Sequence, residues 1–171
     1  RDSRRLSAYR VAELLGSLQG KGQPVADFLQ RLTFTALLGD NDAHAKNLAI
    51  LHLPGRSVLA DVYDAVPNLF QEGRIDCNLA LAIDGSFDHR HISAAHLVRE
   101  AEQWNALPTG EAERIVTATL ADFTRALDRV PVPSGVPAAV AAQLAWNAER
   151  LQSGAEIGER PIGYRRRRSH P

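Results

Sequence analysis

Four residues whose side chains can handle phosphate or metal crowd one short stretch, GDNDAHAKN: Asp42, His44, Lys46 and Asn47. A fifth, Asp64, follows after an interval that reads as a hairpin. These residue types define a chemistry. Moving a phosphoryl group from a nucleotide to a hydroxyl needs one carboxylate to accept or orient the hydroxyl. It also needs hard oxygen ligands that hold magnesium on the phosphates. Magnesium keeps several of its waters, so one aspartate and one asparagine suffice on the protein side. A hairpin brings its two ends together, so Asp42, Asn47 and Asp64 can converge. His44 could instead ligate zinc, but imidazole suits zinc rather than magnesium, and no Cys or Glu cluster accompanies it. The bland alternative for the whole stretch is a solvated polar turn.

The surrounding residues predict the elements that would position this set. A first helix starts at Ser7 as N-cap, carries Val11, Leu14 and Leu15, and stops at Gly16. Ser17–Gln23 is a polar loop, and Pro24 then sits at a first helical position. Val25, Phe28, Leu29, Leu32 and Ala36 follow at helical spacing, with Gly39 closing the helix just before the polar stretch. Leu48–Leu53, the turn Pro54-Gly55-Arg56-Ser57 and Val58–Ala60 read as a β-hairpin leading to Tyr63-Asp64. Asn78–Ile83 is a further extended segment, ended by the turn signal Asp84-Gly85.

The remainder reads as helical. Ser93 caps a helix through Trp104, and Thr109 caps another with Glu111 in its first turn and Ile115, Leu120, Phe123 and Leu127 inward. Pro131–Pro137 connects to a last helix, opened by Val136 and Pro137, striped by Val140, Ala141, Leu144, Ala148 and Leu151, and ended by Gly154. From Ala155 the pattern is lost, and Arg165–Arg168 end a segment expected to be a disordered basic tail. The expected fold class is mainly α with a small β-hairpin insertion. The expected division is a lobe over 1–154 and the tail over 155–171.

Composition narrows the function classes. With 171 residues, 44% hydrophobic and 23% charged, the chain is long enough for one domain or one lobe of a larger enzyme. The formal net charge of zero gives no global field for nucleic acid or an anionic membrane. Cys77 is the single cysteine, so no internal disulfide forms, and it reads as a buried thiol rather than a nucleophile. No apolar run approaches the ~20 residues of a membrane span, and the expected setting is the cytoplasm. His89-x-His91 reads as a polar surface turn, and Trp104 and Trp146 as core or lobe-packing residues. The chain begins at Arg1 and contains no methionine, which leads to the expectation of a fragment of a longer protein.

LLGDNDAHAKNLAIL followed by LADVYDAVP resembles the catalytic core of HipA-type serine/threonine kinases, bacterial toxin kinases with a two-lobed fold related to phosphoinositide and protein kinases. The resemblance runs from about Leu6 to Leu151 and implies the carboxyl-terminal lobe. It implies Asp42 as the catalytic aspartate, Asn47 and Asp64 as magnesium ligands, His44 as a structural residue of the loop and Lys46 as a phosphate contact. It implies ATP and Mg2+ as cofactors and a protein hydroxyl as acceptor, with an aminoacyl-tRNA synthetase as the substrate class. A helix-turn-helix antitoxin would be the partner, with DNA contacted only through it. Two residues depart from the family pattern: Asp61 stands where proline is usual, and Asp40 where an uncharged residue is common. The nucleotide-gripping amino-terminal lobe would lie upstream of Arg1, since no G-x-G-x-x-G or G-x-x-x-x-G-K-[ST] loop occurs here. Two alternatives stand beside the kinase lobe. One is an inactive lobe serving as an antitoxin- or substrate-binding module, the other a small-molecule phosphotransferase with a similar Asp/Asn/Asp set.

Overall fold

The computed structural model describes residues 7–18, 23–71 and 75–164. Helix α1 (Ala8–Ser17) begins where Ser7 accepts a hydrogen bond from the Arg10 backbone N–H. Helix α2 (Gln23–Leu38) follows, and it is the centre of the molecule. It buries the expected stripe of Val25, Phe28, Leu29, Leu32 and Ala36, and also Arg31, Thr33 and Leu37, because it is covered on several sides. Its neighbours are α1, α3 (Ala94–Gln103), α4 (Glu111–Arg129) and α5 (Ala138–Gln152). Thr33 tolerates burial because its hydroxyl donates to the Leu29 carbonyl at 2.9 Å.

Between α2 and α3 lie two small antiparallel hairpins. Strands β1 (Ile50–Leu53) and β2 (Arg56–Leu59) pair with Ile50 opposite Leu59 and Leu53 opposite Arg56, across a two-residue turn in which Gly55 takes a positive φ. The hairpin is the expected one, with the second strand starting at Arg56 and β2 resting on α2. The second hairpin is an addition to the expected architecture. Strand β3 (Asn78–Ile83) turns at Asp84-Gly85, both with positive φ, into the three-residue β4 (Ser86–Asp88). The fold is mainly α with a small β insertion, as expected.

The core joins α1, α2, β3, α3, α4 and α5, with Ile157 beyond it. Phe28 and Trp104 sit with ring centroids 5.4 Å apart. Trp104 donates to one oxygen of the buried Glu100 at 2.9 Å, and the other oxygen accepts from the Asp84 backbone at 2.7 Å. A buried carboxylate with both oxygens bonded is tolerable; an unpaired one is not. Among the described residues no helix is long and apolar enough to cross a membrane.

Several expectations are corrected. Leu14 is exposed, since the buried face of α1 is Ala8, Val11, Ala12 and Leu15. Gly110, with φ 78°, takes the N-cap of α4 in place of Thr109. Val136 stays outside α5, which Pro137 caps, and Ala141 and Leu144 are only half-buried beside the buried Gln143 and Asn147. His89 is no surface residue: it is 2% exposed and its Nε2 lies 2.7 Å from the Ala36 carbonyl, while His91 is exposed. Burial holds the His89 pKa below its ordinary value. Cys77 is half-buried, and desolvation pushes its thiol pKa up, away from a reactive thiolate.

The tail expectation fails for Ala155–Tyr164. Ile157 is fully buried, its N–H donates to the Ile92 carbonyl at 2.9 Å, and its carbonyl accepts from the Trp146 indole at 2.9 Å. Arg165–Arg168 lie outside the described residues.

Candidate active site

The polar stretch starts where α2 is forced to stop. Gly39 takes φ 68°, a left-handed conformation that ends the helix, and its carbonyl accepts from the Leu69 N–H at 3.1 Å. From there the chain turns through Asp40 and Asn41 to Asp42. A 3₁₀ turn, Ala45–Asn47, then delivers the chain to β1. The Asp42 carbonyl accepts from the His44 N–H at 2.7 Å and from the Asn47 side-chain nitrogen at 3.0 Å. The second of these bonds orients the Asn47 amide. Its nitrogen is engaged by the loop, and its oxygen has no hydrogen bond among the described residues.

The β1–β2 hairpin returns the chain to this loop. The Tyr63 hydroxyl donates to the Lys46 carbonyl at 2.9 Å, which places Asp64 next to the 3₁₀ turn. Asp64 is exposed and held at φ 54°, a left-handed conformation that is uncommon for a residue with a Cβ. Such strain, of the order of 1–3 kcal/mol, concentrates at functional positions. Asn47, Tyr63 and Asp64 line one narrow cavity together with His44, Asp40 and Arg31.

Asp40 joins the two halves. It is 3% exposed, accepts the Asp42 N–H at 3.0 Å and also accepts from the Val66 backbone. Burial pushes its carboxyl above the ordinary aspartate range. The Asp42 and Val66 N–H groups pull it down, and the neighbouring charges of Asp42 and Asp64 push it up. Asp42 and Asp64 thus share one buried neighbour, and Asn47 and Asp64 line one cavity. Asp42 itself projects outward with its side chain 68% exposed. The His44 Nε2 lies 3.6 Å from its Oδ1, an electrostatic contact rather than a hydrogen bond. Lys46 is not among the residues lining that cavity; with His44, Asp76 and Asn78 it lines a neighbouring groove.

The donor set fits magnesium rather than a closed metal cage. Among the described residues no three His, Cys, Asp or Glu side chains are grouped to hold a metal. An amide oxygen and one carboxylate form an open pair that phosphates and water would complete. Sequence reasoning missed Arg31, a buried cation inside the α2 stripe that gives no signal of its own. It also registered Asp40 only as a departure.

A family profile described as the HipA-like C-terminal domain matches residues 2–127. Among solved structures, a chain of the Shewanella oneidensis MR-1 toxin–antitoxin complex of HipA, HipB and operator DNA superposes with a TM-score of 0.63 at 24% identity. That match covers 86% of this chain and 34% of the other, so this chain spans about a third of its relative's length, and the likeness is one of fold. None of the curated proteins matches the chain.

Proposed function

Given that the chain belongs to the HipA-like C-terminal domain family, we propose that it is the metal-binding, hydroxyl-orienting lobe of a serine/threonine protein kinase. One observation carries this reading: Asn47, its amide nitrogen tied to the carbonyl of the exposed Asp42 and its oxygen without a hydrogen bond among the described residues, shares one cavity with Asp64, which is held in a left-handed conformation. Asp42 would orient the acceptor hydroxyl and take its proton as the oxygen bonds to the γ-phosphorus and the bond to ADP breaks. Asn47 and Asp64 would hold Mg2+, which when bound neutralises phosphate charge. His44 and Tyr63 keep the loop in register, and Lys46, from the adjacent groove, would reach a phosphate only by swinging out of it.

A nucleotide as donor and a hydroxyl as acceptor fit this set; that the nucleotide is ATP and the hydroxyl is on a protein comes from the family. An aminoacyl-tRNA synthetase as substrate and a helix-turn-helix antitoxin as partner follow from the family. The Shewanella complex, which holds HipB and operator DNA, supports an antitoxin partner through which DNA would be met.

The test uses the full-length protein with radiolabelled ATP. Asp42→Asn should lower transfer about 10²–10⁴-fold with Mg·ATP still bound. Asp64→Ala should weaken Mg·ATP binding in calorimetry, and Asn47→Ala should do so to a smaller degree. Unchanged turnover in Asp42→Asn overturns the reading. A wild-type protein that binds its antitoxin but transfers no phosphate favours the binding-module alternative.

A further inference from the structure

Two polar nitrogens beside the candidate site are buried with no hydrogen-bond partner among the described residues: Arg31 Nη1 and His44 Nδ1. They belong to residues far apart in sequence, yet both residues line the same narrow cavity of about 30 Å³. Its walls come from α2, the Asp40–Leu48 loop, the Val62–Ala65 segment and β3.

Arg31 is 8% exposed and makes one hydrogen bond, from Nη2 to the Ala60 carbonyl at 2.9 Å. No carboxylate among the described residues is within ion-pair distance of it, although Asp61 and Tyr63 lie near enough to act on its charge. A guanidinium is donor-only and stays charged, and a donor left unmade in the interior is destabilising. His44 has the opposite need. Its Nε2 lies 3.6 Å from the Asp42 carboxylate, which can only accept, and a proton on Nε2 is the tautomer that this electrostatic contact favours. The inward Nδ1 is then a lone-pair acceptor. The residues that carry this donor and this acceptor both line one cavity, and a water site needs roughly 10–15 Å³. A water both accepts and donates, so it satisfies the pair in the one sense they allow.

We propose that this cavity is a buried water site in which water accepts from Arg31 Nη1 and donates to His44 Nδ1, making Arg31 a positioning residue for Asp42. The run of hydrogen bonds from Arg31 through water to His44 fixes the imidazole tautomer and its ring orientation. The Nε2–H then stands against Oδ1 of Asp42 and leaves Oδ2 to the acceptor hydroxyl. Asp40, Asn47, Tyr63 and Asp64 complete the polar lining and offer the water further partners. Only the consequence for Asp42 rests on the kinase reading; the water site and the tautomer do not.

The deciding measurement is nitrogen-15 NMR of the His44 ring in the whole chain, with a high-resolution crystal structure beside it. The wild type should show a single Nε2–H tautomer and a water within hydrogen-bond distance of both nitrogens. Arg31→Met should lose the single tautomer, and Arg31→Gln, which keeps a donor, should retain more of it. An Nδ1–H tautomer in the wild type, a tautomer unchanged by Arg31→Met, or a crystal structure without that water would each overturn the proposal. If Arg31→Met does not fold, the wild-type tautomer and the crystal decide. A correct tautomer and water in a protein that transfers no phosphate would sink the kinase reading and leave this one standing.

Discussion

The Tyr63 hydroxyl and the Lys46 carbonyl, 17 residues apart in sequence, are joined by a hydrogen bond of 2.9 Å. It is the side-chain bond that fastens the segment carrying Asp64 to the 3₁₀ turn carrying Asn47. Tyr63→Phe removes it while keeping the ring. The exposed Lys46 carbonyl can turn to water, so the stability loss should stay near 0.5–1.5 kcal/mol. That is a shift of a few degrees in melting temperature. The effect on Mg·ATP affinity should be larger, because Asn47 and Asp64, the two proposed ligands, lose their fixed spacing. Calorimetric titration of the full-length variant checks this, and wild-type affinity would show that the clamp is dispensable.

Asp40 gives a prediction with a definite sign. Its folded-state pKa is raised, chiefly by burial, so the native state holds this proton more tightly than the unfolded chain does. Its contribution to stability is fully present below the ordinary aspartate pKa and is lost as pH rises through the raised value. Asp40→Asn keeps an acceptor for the Asp42 or Val66 N–H and removes the buried charge. It should therefore match or exceed wild-type stability at neutral pH, with any gain vanishing in acid. Asp40→Ala leaves those N–H groups without an acceptor, at about 1–3 kcal/mol, and should destabilise across the range. Denaturant midpoints taken at several pH values decide; an Asn variant less stable than wild type only at neutral pH would reverse the sign.

Much of this site could be read in the sequence because its information is local. Asp42 to Asn47 lie on one loop, and Pro54-Gly55 announces the hairpin that returns Asp64 to it. Ser93 announces a cap, and it proves to be half of a reciprocal pair with His96. What stayed hidden depends on contacts distant in sequence. Strand β4 is three residues long, too short to show a period. His89 is buried against the α2 carbonyl of Ala36, 53 residues away in sequence, and Arg31 reaches the Ala60 carbonyl at the end of the first hairpin, 29 residues away. Ile157 is a lone apolar residue, and one residue has no periodicity to reveal which face it belongs to.

Gly39 should be irreplaceable where Gly55 is merely preferred. Both have positive φ, at 68° and 75°. A Cβ at Gly39 would stand 3.3 Å from the Leu69 Cβ and 3.4 Å from Asn147 Nδ2, whereas nothing lies within 4 Å of one at Gly55. Gly55→Ala should cost only the left-handed backbone term, about 1–2 kcal/mol. Gly39→Ala should cost that and the displacement of Leu69 or Asn147, and with it the geometry of Asp40. Thermal melts of the two variants separate the terms; equal losses would mean that the crowding at Gly39 relaxes freely.

The segment after α5 should be needed for stability, contrary to what its composition predicts. Ile157 is fully buried, and replacing a buried isoleucine by alanine costs about 2–5 kcal/mol. The segment also carries Arg160, whose Nε donates to Gln143 Oε1 at 2.9 Å. Gln143 donates to Asn147 Oδ1 at 2.9 Å, and Asn147, with no exposed surface, donates to the Leu37 carbonyl at 3.0 Å. Leu37 lies two residues before Gly39, so a continuous set of side-chain bonds leads from the docked segment to the end of α2, where the candidate site begins. Ending the chain at Gly154 removes Ile157, frees the Trp146 indole and strips Gln143 of one partner. The melting temperature should fall by about 2–4 °C for each kcal/mol lost. Amide hydrogen exchange should also quicken over Leu37–Asp42, not only in α5. Ile157→Ala should reproduce the loss of stability but not the faster exchange at α2, because it leaves Arg160 in place. A truncated chain that melts like the full one would show that the docking of Ile157 contributes nothing.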